Sequence, residues 1–587
     1  MSLTVVSVEP YDGPSDADGL VPVYDLTVEP GHRFAVGPGA VVSNSKRLSL
    51  AETGALIAHG AVNVLEDSGV LRGTKNDTWW TNYLAGNTPP PAESPFVYRR
   101  MLNRLRGAGV NVEGEGSRLH LKALTPQAID DMTQGRVVES GETVQFDKDL
   151  RPVPGGLFDP AITGGHNNAN RWSAIKLAEP MPNPVFEEPI RRVLGLTGPA
   201  FDRIIGGEET FQDHGTGPAA IGKALAAINV DNDIGRARAV IRSGRKSSRD
   251  LAIKQLRFLS AAKQTGVHPR DWMWDKAPVL PPAFRPVGLL ADGTPSVSDA
   301  NFLYRELLDA NSLLRDAKTS LGDEAAGPER RTAYQALKAV AGLGDPVSKK
   351  SQQKGVRGLL ADVFGSSGKY STAQRQLLSF PTDGVSRGTT VPDPELGMDE
   401  IGLPESAAFT AFGRHVVREL VRSGMPPIRA LQEVDERTPR ARGVLMSEMA
   451  RRPVMASRAP VLHRFGIMGF RPKLTAGNAI RFSPIVFKPF NLDSDGDAMN
   501  VHVTTTDREA KDVLDRMLPS RNLIAPADRK SPLYGIQQEY VAGVTEATSP
   551  AAATRPRVFA KMDDVLAAIR RGELGVRDPV RILDRDE

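Results

Sequence analysis

The stretch NLDSDGDAMNVHV, residues 491–503, sets Asp493, Asp495 and Asp497 at every second position and then runs directly into Met499, Val501 and Val503. Carboxylates this close repel one another, so a fold that keeps them must supply something to neutralise them. Alternation of the aspartates with Ser494 and Gly496 fits a strand end or a tight loop. There Gly496 lets the backbone curl, and side chains at i, i+2 and i+4 converge. Converging carboxylates suit a hard divalent cation, and Mg2+ would take two or three of the oxygens while keeping waters for phosphates.

Three readings of the triplet compete. It is an acidic surface turn, an EF-hand loop, or a metal site for phosphoryl or nucleotidyl transfer. The EF-hand reading fails on chemistry, because its sixth position is Ala498 rather than Gly and its twelfth is Thr504 rather than Glu. The flanks also read as strands, not helices.

A length of 587 residues exceeds what one hydrophobic core supports, so several domains are expected. No run approaches the roughly 20 apolar residues of a membrane span, and MSLTVVSVEP lacks the basic and apolar regions of a signal peptide. The expected location is the cytoplasm. Cys is absent, which excludes disulfides, a thiolate zinc site and a Cys nucleophile. The net charge of +4 says little, but Arg236, Arg238, Arg242, Arg245, Lys246, Arg249, Lys254 and Arg257 crowd one segment. That cluster is either a solvated helix face or a surface that tracks phosphates.

Along the chain, the first 44 residues read as short alternating strands between Gly, Pro and Asp turns. A helical pattern begins near Leu48, and another covers FVYRRMLNRLRGAGV. Helical periodicity dominates from about 195 to 265. Residues 299–343 suggest two helices, with Tyr304, Leu307, Leu314 and Leu321 on one stripe and Tyr334, Leu337 and Val340 on the other. Antiparallel pairing buries both stripes. From 450 to 545 strand-like runs return.

Context narrows the readings of the triplet. Upstream stand RPVMASRAPVLHRFGIMGFRPKL and AIRFSPIVFKPFNLDSDGDAMNVHV. Together these resemble the catalytic core of the beta-prime (largest) subunit of multisubunit RNA polymerases, which carries R-A-P-x-L-H-R followed by N-A-D-F-D-G-D-x-M-x-V-H. The resemblance implies that Asp493, Asp495 and Asp497 hold a catalytic Mg2+ that activates the RNA 3′ hydroxyl and bridges to the incoming triphosphate, a second ion arriving with the nucleotide. It implies that Arg458 and Asn491 face the ribose and tell it from deoxyribose through the 2′-OH. Leu492, Ser494 and Ala498 depart from the family's Ala, aromatic and Gln, so the packing of the loop is expected to differ.

The resemblance continues in the family's order through LTPQAIDDMTQGRVVESGETV, GGLFDPAITGG, IKLAEPMPNPVF and DWMWDKAPVLPPAFRPV. The family's zinc ribbon is missing, as expected without Cys. SDANFLYRELLDANSLL and the following helix resemble the clamp coiled coil, which implies a sigma-like factor as a partner; a plain structural hairpin is the alternative. KYSTAQRQLLSFPTDGVSRGTTV resembles a DNA-contacting switch segment, which implies DNA contacts for Arg375 and Arg387, although Phe380-Pro381 replaces a Lys-Arg pair. KRLSLAETGALIAHGA and ESPFVYRRMLNRLRGAGVNVE resemble the C-terminal end of the beta subunit. The implied partners are DNA template, RNA product, nucleoside triphosphates, a beta N-terminal part, and a beta-prime C-terminal part with bridge helix and trigger loop. Both of those parts are expected to be encoded elsewhere.

The opening segment VYDLTVEPGHRFAVGPGAVVSNS resembles the C-terminal splicing blocks of an intein. By that resemblance Asn44 cyclises to cut the Asn44–Ser45 bond, Ser45 receives the upstream polypeptide as an ester, His32 transfers protons and Asp25 assists. No N-terminal splicing blocks precede it, so an N-terminal split-intein partner is implied.

The expected fold is multidomain α+β. It comprises an intein-type β fragment (1–44), a beta C-terminal segment (45–118), a clamp region without zinc ribbon (119–298) and a coiled-coil hairpin (299–345). A double-psi β-barrel active-centre region (346–530) and the start of a following region (531–587) complete it. The expected function is that of a polymerase fragment made as a trans-splicing precursor. The alternatives are a non-catalytic DNA-clamp scaffold and a metal-dependent phosphodiesterase.

Overall fold

The computed structural model describes residues 33–35, 41–43 and, from residue 46 onward, all but 74–75, 115–119, 142–143, 146–150, 291–293, 366–370, 494, 536–538, 550–555, 576 and 584–587. The chain divides into two compact units, Met1–Glu93 with Leu378–Glu587, and Ser94–Leu377. The architecture is mixed α+β and multidomain. No helix among the described residues is long and apolar enough to cross a membrane.

The first unit is built on a closed barrel of six strands, here β1 (Val385–Pro392), β2 (Glu400–Pro404), β3 (Val454–Ser457), β4 (Ile467–Thr475), β5 (Ile480–Phe482) and β6 (Ala498–Val503). Their order around the barrel is β1-β5-β2-β4-β3-β6, closing back on β1. Two pairings are parallel, β1 with β5 and β2 with β4, and the other four are antiparallel. Closure removes the free edges that an open sheet exposes.

Alternation fills the barrel: Met499, Val501 and Val503 of β6 meet Val454 and Ala456 of β3 and Phe470 of β4 in one buried cluster. Helices Glu405–Arg422 and Pro439–Arg451 extend that core through Phe409, Phe412, Val416 and Leu445.

The outer side of β3 and β6 is covered as well. Helix Leu50–His59, opened by a capping box of Ser49 and Glu52, and residues 61–71 bring Ala55, Leu56, Ala61 and Val64 against Met455, Ile467, Val513 and Met517. The strand Lys46–Leu48 pairs antiparallel with Phe380–Thr382. Phe380, which stands where the resembled switch segment has a basic residue, packs into this layer and lies 3.5 Å from where a Cβ on Gly69 would stand. Its place in the core is a packing reason for the departure.

The second unit holds a larger core around an antiparallel pair, Ser173–Pro182 with Met273–Val279, broken by a bulge between Lys176 and Met181. Asn311 closes the bulge, accepting from the Ala178 N–H at 2.6 Å and donating to the Lys176 carbonyl at 3.0 Å. Asn311 lies on helix Asp299–Leu321, which packs with helix Gly327–Ala341. Tyr304, Leu307, Leu314, Tyr334, Leu337 and Val340 are buried, as the two stripes require. Leu321 is not; it ends its helix 65% exposed, where the pairing has already run out.

Candidate functional site

The loop 491–497 leaves the short helix Phe487–Phe490 and enters β6. Asn491 takes a left-handed φ of 49°, which Asn tolerates better than most residues, and is exposed. Next to it, Leu492 turns inward and is buried in the barrel core. The family's small Ala is thus replaced here by a side chain that anchors the loop. At the far end the Asp497 carbonyl accepts two bonds from Thr390 of β1, from its N–H at 2.9 Å and its hydroxyl at 3.0 Å. Thr390 escaped the sequence reading, since nothing in VSRGTTV singles it out.

Between these anchors the chain curls back on itself. The Asp493 N–H donates to Oδ2 of Asp497 at 3.0 Å, and Gly496 has φ 118°, a value that favours glycine. Asp495 is exposed, whereas Asp493 and Asp497 are half-buried. Arg458 follows directly on β3, which pairs with β6, and grips Asp497 with both arms, Nε to Oδ2 at 2.7 Å and Nη2 to Oδ1 at 3.1 Å. Such a fork is the strongest geometry open to a guanidinium and a carboxylate. The Arg458 guanidinium holds the Asp497 carboxyl below the usual carboxylate range, and the Asp493 N–H adds to the effect.

The R-A-P motif and the aspartate loop therefore meet. Arg387 is exposed on β1, directly opposite Asn500 of β6. Arg375 is exposed in the turn Ala373–Leu377 of the second unit. Among the described residues no group of three His, Cys, Asp or Glu side chains is gathered to hold a metal ion, so the aspartates share one loop without closing on a common point. As donors they still fit Mg2+, being oxygen ligands on a half-exposed turn. Asp25, His32, Asn44 and Ser45 lie outside the described residues; strands Arg33–Ala35 and Val41–Ser43 pair antiparallel, with Arg33 opposite Ser43.

Behind the loop lies a buried polar layer that the sequence did not disclose. His502 of β6 is 1% exposed, and burial pushes its ring down to about 3, with the Arg72 charge adding to the shift. Arg72 bonds Asp67 at 3.0 Å and Glu509 at 2.9 Å, all three side chains being almost wholly buried. Further on, the Tyr83 hydroxyl lies 2.6 Å from Nδ1 of His415, and Arg452 pairs with Glu448 at 2.7 Å.

Residues 429–518 match the family described as RNA polymerase Rpb1, domain 2. The chain is similar to the DNA-directed RNA polymerase subunit beta' of Treponema pallidum, 32% identical over 63% of this chain and 26% of that subunit. It is likewise similar to the subunits of that name from Streptomyces avermitilis, 31% identical over 64% of this chain and 29% of the relative, and Streptomyces coelicolor, 30% identical over the same shares. The chain thus spans only 26–29% of the length of the curated relatives it matches. These matches support a multisubunit RNA polymerase beta-prime region in this chain.

Proposed function

We propose that the chain supplies the NxDxDGD loop of a DNA-dependent RNA polymerase and is made as a precursor whose first 44 residues are the C-terminal half of a split intein. The observation that carries the polymerase reading is the Arg458–Asp497 fork, which joins two motifs 39 residues apart at one end of the barrel. The six-stranded barrel, with its mixed parallel and antiparallel pairing, supports a double-psi reading.

In this reading Asp493, Asp495 and Asp497 hold Mg2+. Bound there, the ion supplies positive charge against the electrons gathering on the transferred phosphoryl oxygens. Arg458, once released from Asp497, and Asn491 face the nucleotide ribose. Leu492 and Thr390 hold both ends of the loop so that the aspartates do not drift. Arg387 and Arg375 contact template DNA, and the helical pair 299–341 offers a docking surface to a sigma-like factor. Other polymerase parts provide the remaining catalytic elements, and assembly takes place in the cytoplasm.

The test is RNA synthesis. A complex assembled from this chain and its complementary polymerase parts is expected to extend RNA on a primed DNA template with ribonucleotides. Extension with the complementary parts alone, no faster when this chain is added, would overturn the reading. The departures at Leu492, Ser494 and Ala498 motivate a second reading, a DNA-clamp scaffold that has lost catalysis.

Splicing has its own test. Co-expressed with an N-terminal intein half carrying an upstream polypeptide, the chain is expected to yield a ligated product lighter by residues 1–44, seen by mass spectrometry. Asn44→Ala is expected to stop release, because no side-chain amide remains to attack the peptide carbonyl. Equal product from wild type and Asn44→Ala would refute the role given to Asn44.

A further inference from the structure

We propose that the folded barrel unit itself presents the splicing nucleophile, with Arg47, Leu48 and Ser379 as positioning residues that hold Ser45 for acyl transfer. The proposal rests on the split-intein reading of residues 1–44. Strand Lys46–Leu48 begins at the residue that follows Ser45. It pairs antiparallel with Phe380–Thr382, Lys46 standing opposite Thr382 and Leu48 opposite Phe380.

The pairing is held on both faces. Leu48 is buried and packs in the cluster of Leu56, Phe380 and Met455. On the solvent side, Arg47 donates from Nε to the Ser379 hydroxyl at 2.8 Å and from Nη2 to the Ser379 carbonyl at 3.1 Å. From the following helix, the Thr53 hydroxyl donates to the Leu378 carbonyl at 2.9 Å. Arg47 and Ser379 lie 332 positions apart in the chain. The anchor therefore exists only once the outer layer of the barrel has folded.

A second observation points the same way. Upstream of the scissile bond, strand Val41–Ser43 pairs with Arg33–Ala35. Two ladders thus flank the junction, and only Asn44 and Ser45 lie between them. So short a connection confines the Ser45 hydroxyl to a small volume. Confinement raises its effective concentration toward an acyl group brought by the N-terminal half. An unanchored chain would spread the same hydroxyl over many backbone states, each of which must be given up before reaction.

The anchor acts on the order of two steps. In the first, Oγ of Ser45 attacks the acyl carbon that joins the upstream polypeptide to a nucleophilic side chain of the N-terminal half. An ester bond forms, the old acyl bond breaks, and the hydroxyl proton passes to the departing side chain. In the second, the Asn44 side-chain nitrogen bonds to its own carbonyl carbon and the Asn44–Ser45 bond breaks, an amide proton passing to the departing Ser45 nitrogen. That amine then takes the acyl group from its own side-chain oxygen, leaving a peptide bond. If the second step runs first, residues 45–587 are cut free with nothing joined to them. Cyclisation asks only for Asn44 and its intein surroundings, whereas acyl transfer needs Ser45 in place. Anchoring Ser45 accelerates acyl transfer alone and keeps it ahead.

Mass spectrometry of the full-length chain mixed with an N-terminal intein half carrying an upstream polypeptide reads the ratio of ligated product to unligated 45–587. Inserting Lys-Gly-Gly between Ser45 and Lys46 keeps a Lys beside Ser45 but takes Ser45 off the ladder. The ratio is then expected to fall about tenfold, since small misplacements of a reacting group cost this much or more. Arg47→Ala truncates an exposed side chain and should lower the ratio in the same direction, with Arg47→Lys recovering part of it. Thermal melting of these variants is expected to match wild type. Glu509→Gln loosens the same unit without touching the strand and should leave the ratio unchanged. If wild type ligates and neither the insertion nor Arg47→Ala moves the ratio, the anchor is refuted. An equal fall in Glu509→Gln would refute it too, by making the effect one of stability. No ligation by wild type would overturn the intein reading, and the anchor with it.

Discussion

Asp495→Ala is expected to lower RNA synthesis by the assembled polymerase at least about 10³-fold, because a missing metal ligand removes several kcal/mol of charge stabilisation and each 1.36 kcal/mol is tenfold in rate. It should do so without unfolding anything. Asp495 is exposed beside Gly496, around which a Cβ would meet nothing within 4 Å, so truncation leaves no cavity. Asp497→Ala is a less clean test. Asp497 also accepts the Asp493 N–H and the Arg458 fork, so its loss loosens the turn together with the chemistry. Primed-template extension and thermal melting, measured on the same preparations, separate the two effects. Equal RNA synthesis by wild type and Asp495→Ala would move the chain to the scaffold reading. Nucleic-acid hydrolysis by the purified chain, lost in Asp495→Ala, would favour the phosphodiesterase.

What the sequence disclosed of this site was its charged front. The aspartates, Gly496 and Arg458 carry their chemistry in their identities, and the structure puts Arg458 on Asp497. The alternation after Ala498 correctly marks Met499, Val501 and Val503 as one inward row. It implies an equally solvated other row, yet His502 is buried too. The reason is a covering layer drawn from residues more than 400 positions away; Arg72 and Glu509 are 437 apart. Local periodicity carries no trace of such a partner. Leu492 and Phe380 read as departures from a motif, and only packing explains them as core residues. The coiled-coil stripe failed at Leu321 alone, since periodicity says which face a residue occupies but not where the opposing helix stops.

Arg72→Met is expected to destabilise the barrel unit by about 3–5 kcal/mol, the usual cost of removing one partner from a buried ion pair. The side chains of Asp67 and Glu509 are 2% and 0% exposed, and Arg72 is the cation bonded to both. Methionine fills much of the space but leaves two carboxyl groups facing each other in a dry layer between β6 and helix Asp507–Asp512. Burial, and then the Asp67 charge, raise Glu509 well above its ordinary 4.5, against the pull of Arg72. That fixes the sign of a pH dependence. Above about pH 4.5 an unfolded Glu509 sheds its proton while the folded one keeps it. The folded state then binds more protons, so this group's contribution to stability falls as pH rises toward the raised folded value. Glu509→Gln keeps an acceptor for Arg72 and a donor for Asp67 while removing the ionisation. It should therefore flatten that slope, while the lost bond from the Thr505 N–H to Oε2 of Glu509, 2.6 Å long, lowers stability by about 1–3 kcal/mol at every pH. Hydrogen exchange of the β3 and β6 amides, followed from pH 5 to 8 with correction for intrinsic rates, reads both effects locally. Faster opening in Arg72→Met together with a flatter profile in Glu509→Gln assigns the stability of the barrel's outer wall to this triad. If instead Arg72→Met matched wild type, residues 61–71 would be held there by the apolar contacts of Leu56, Val64 and Met517 alone.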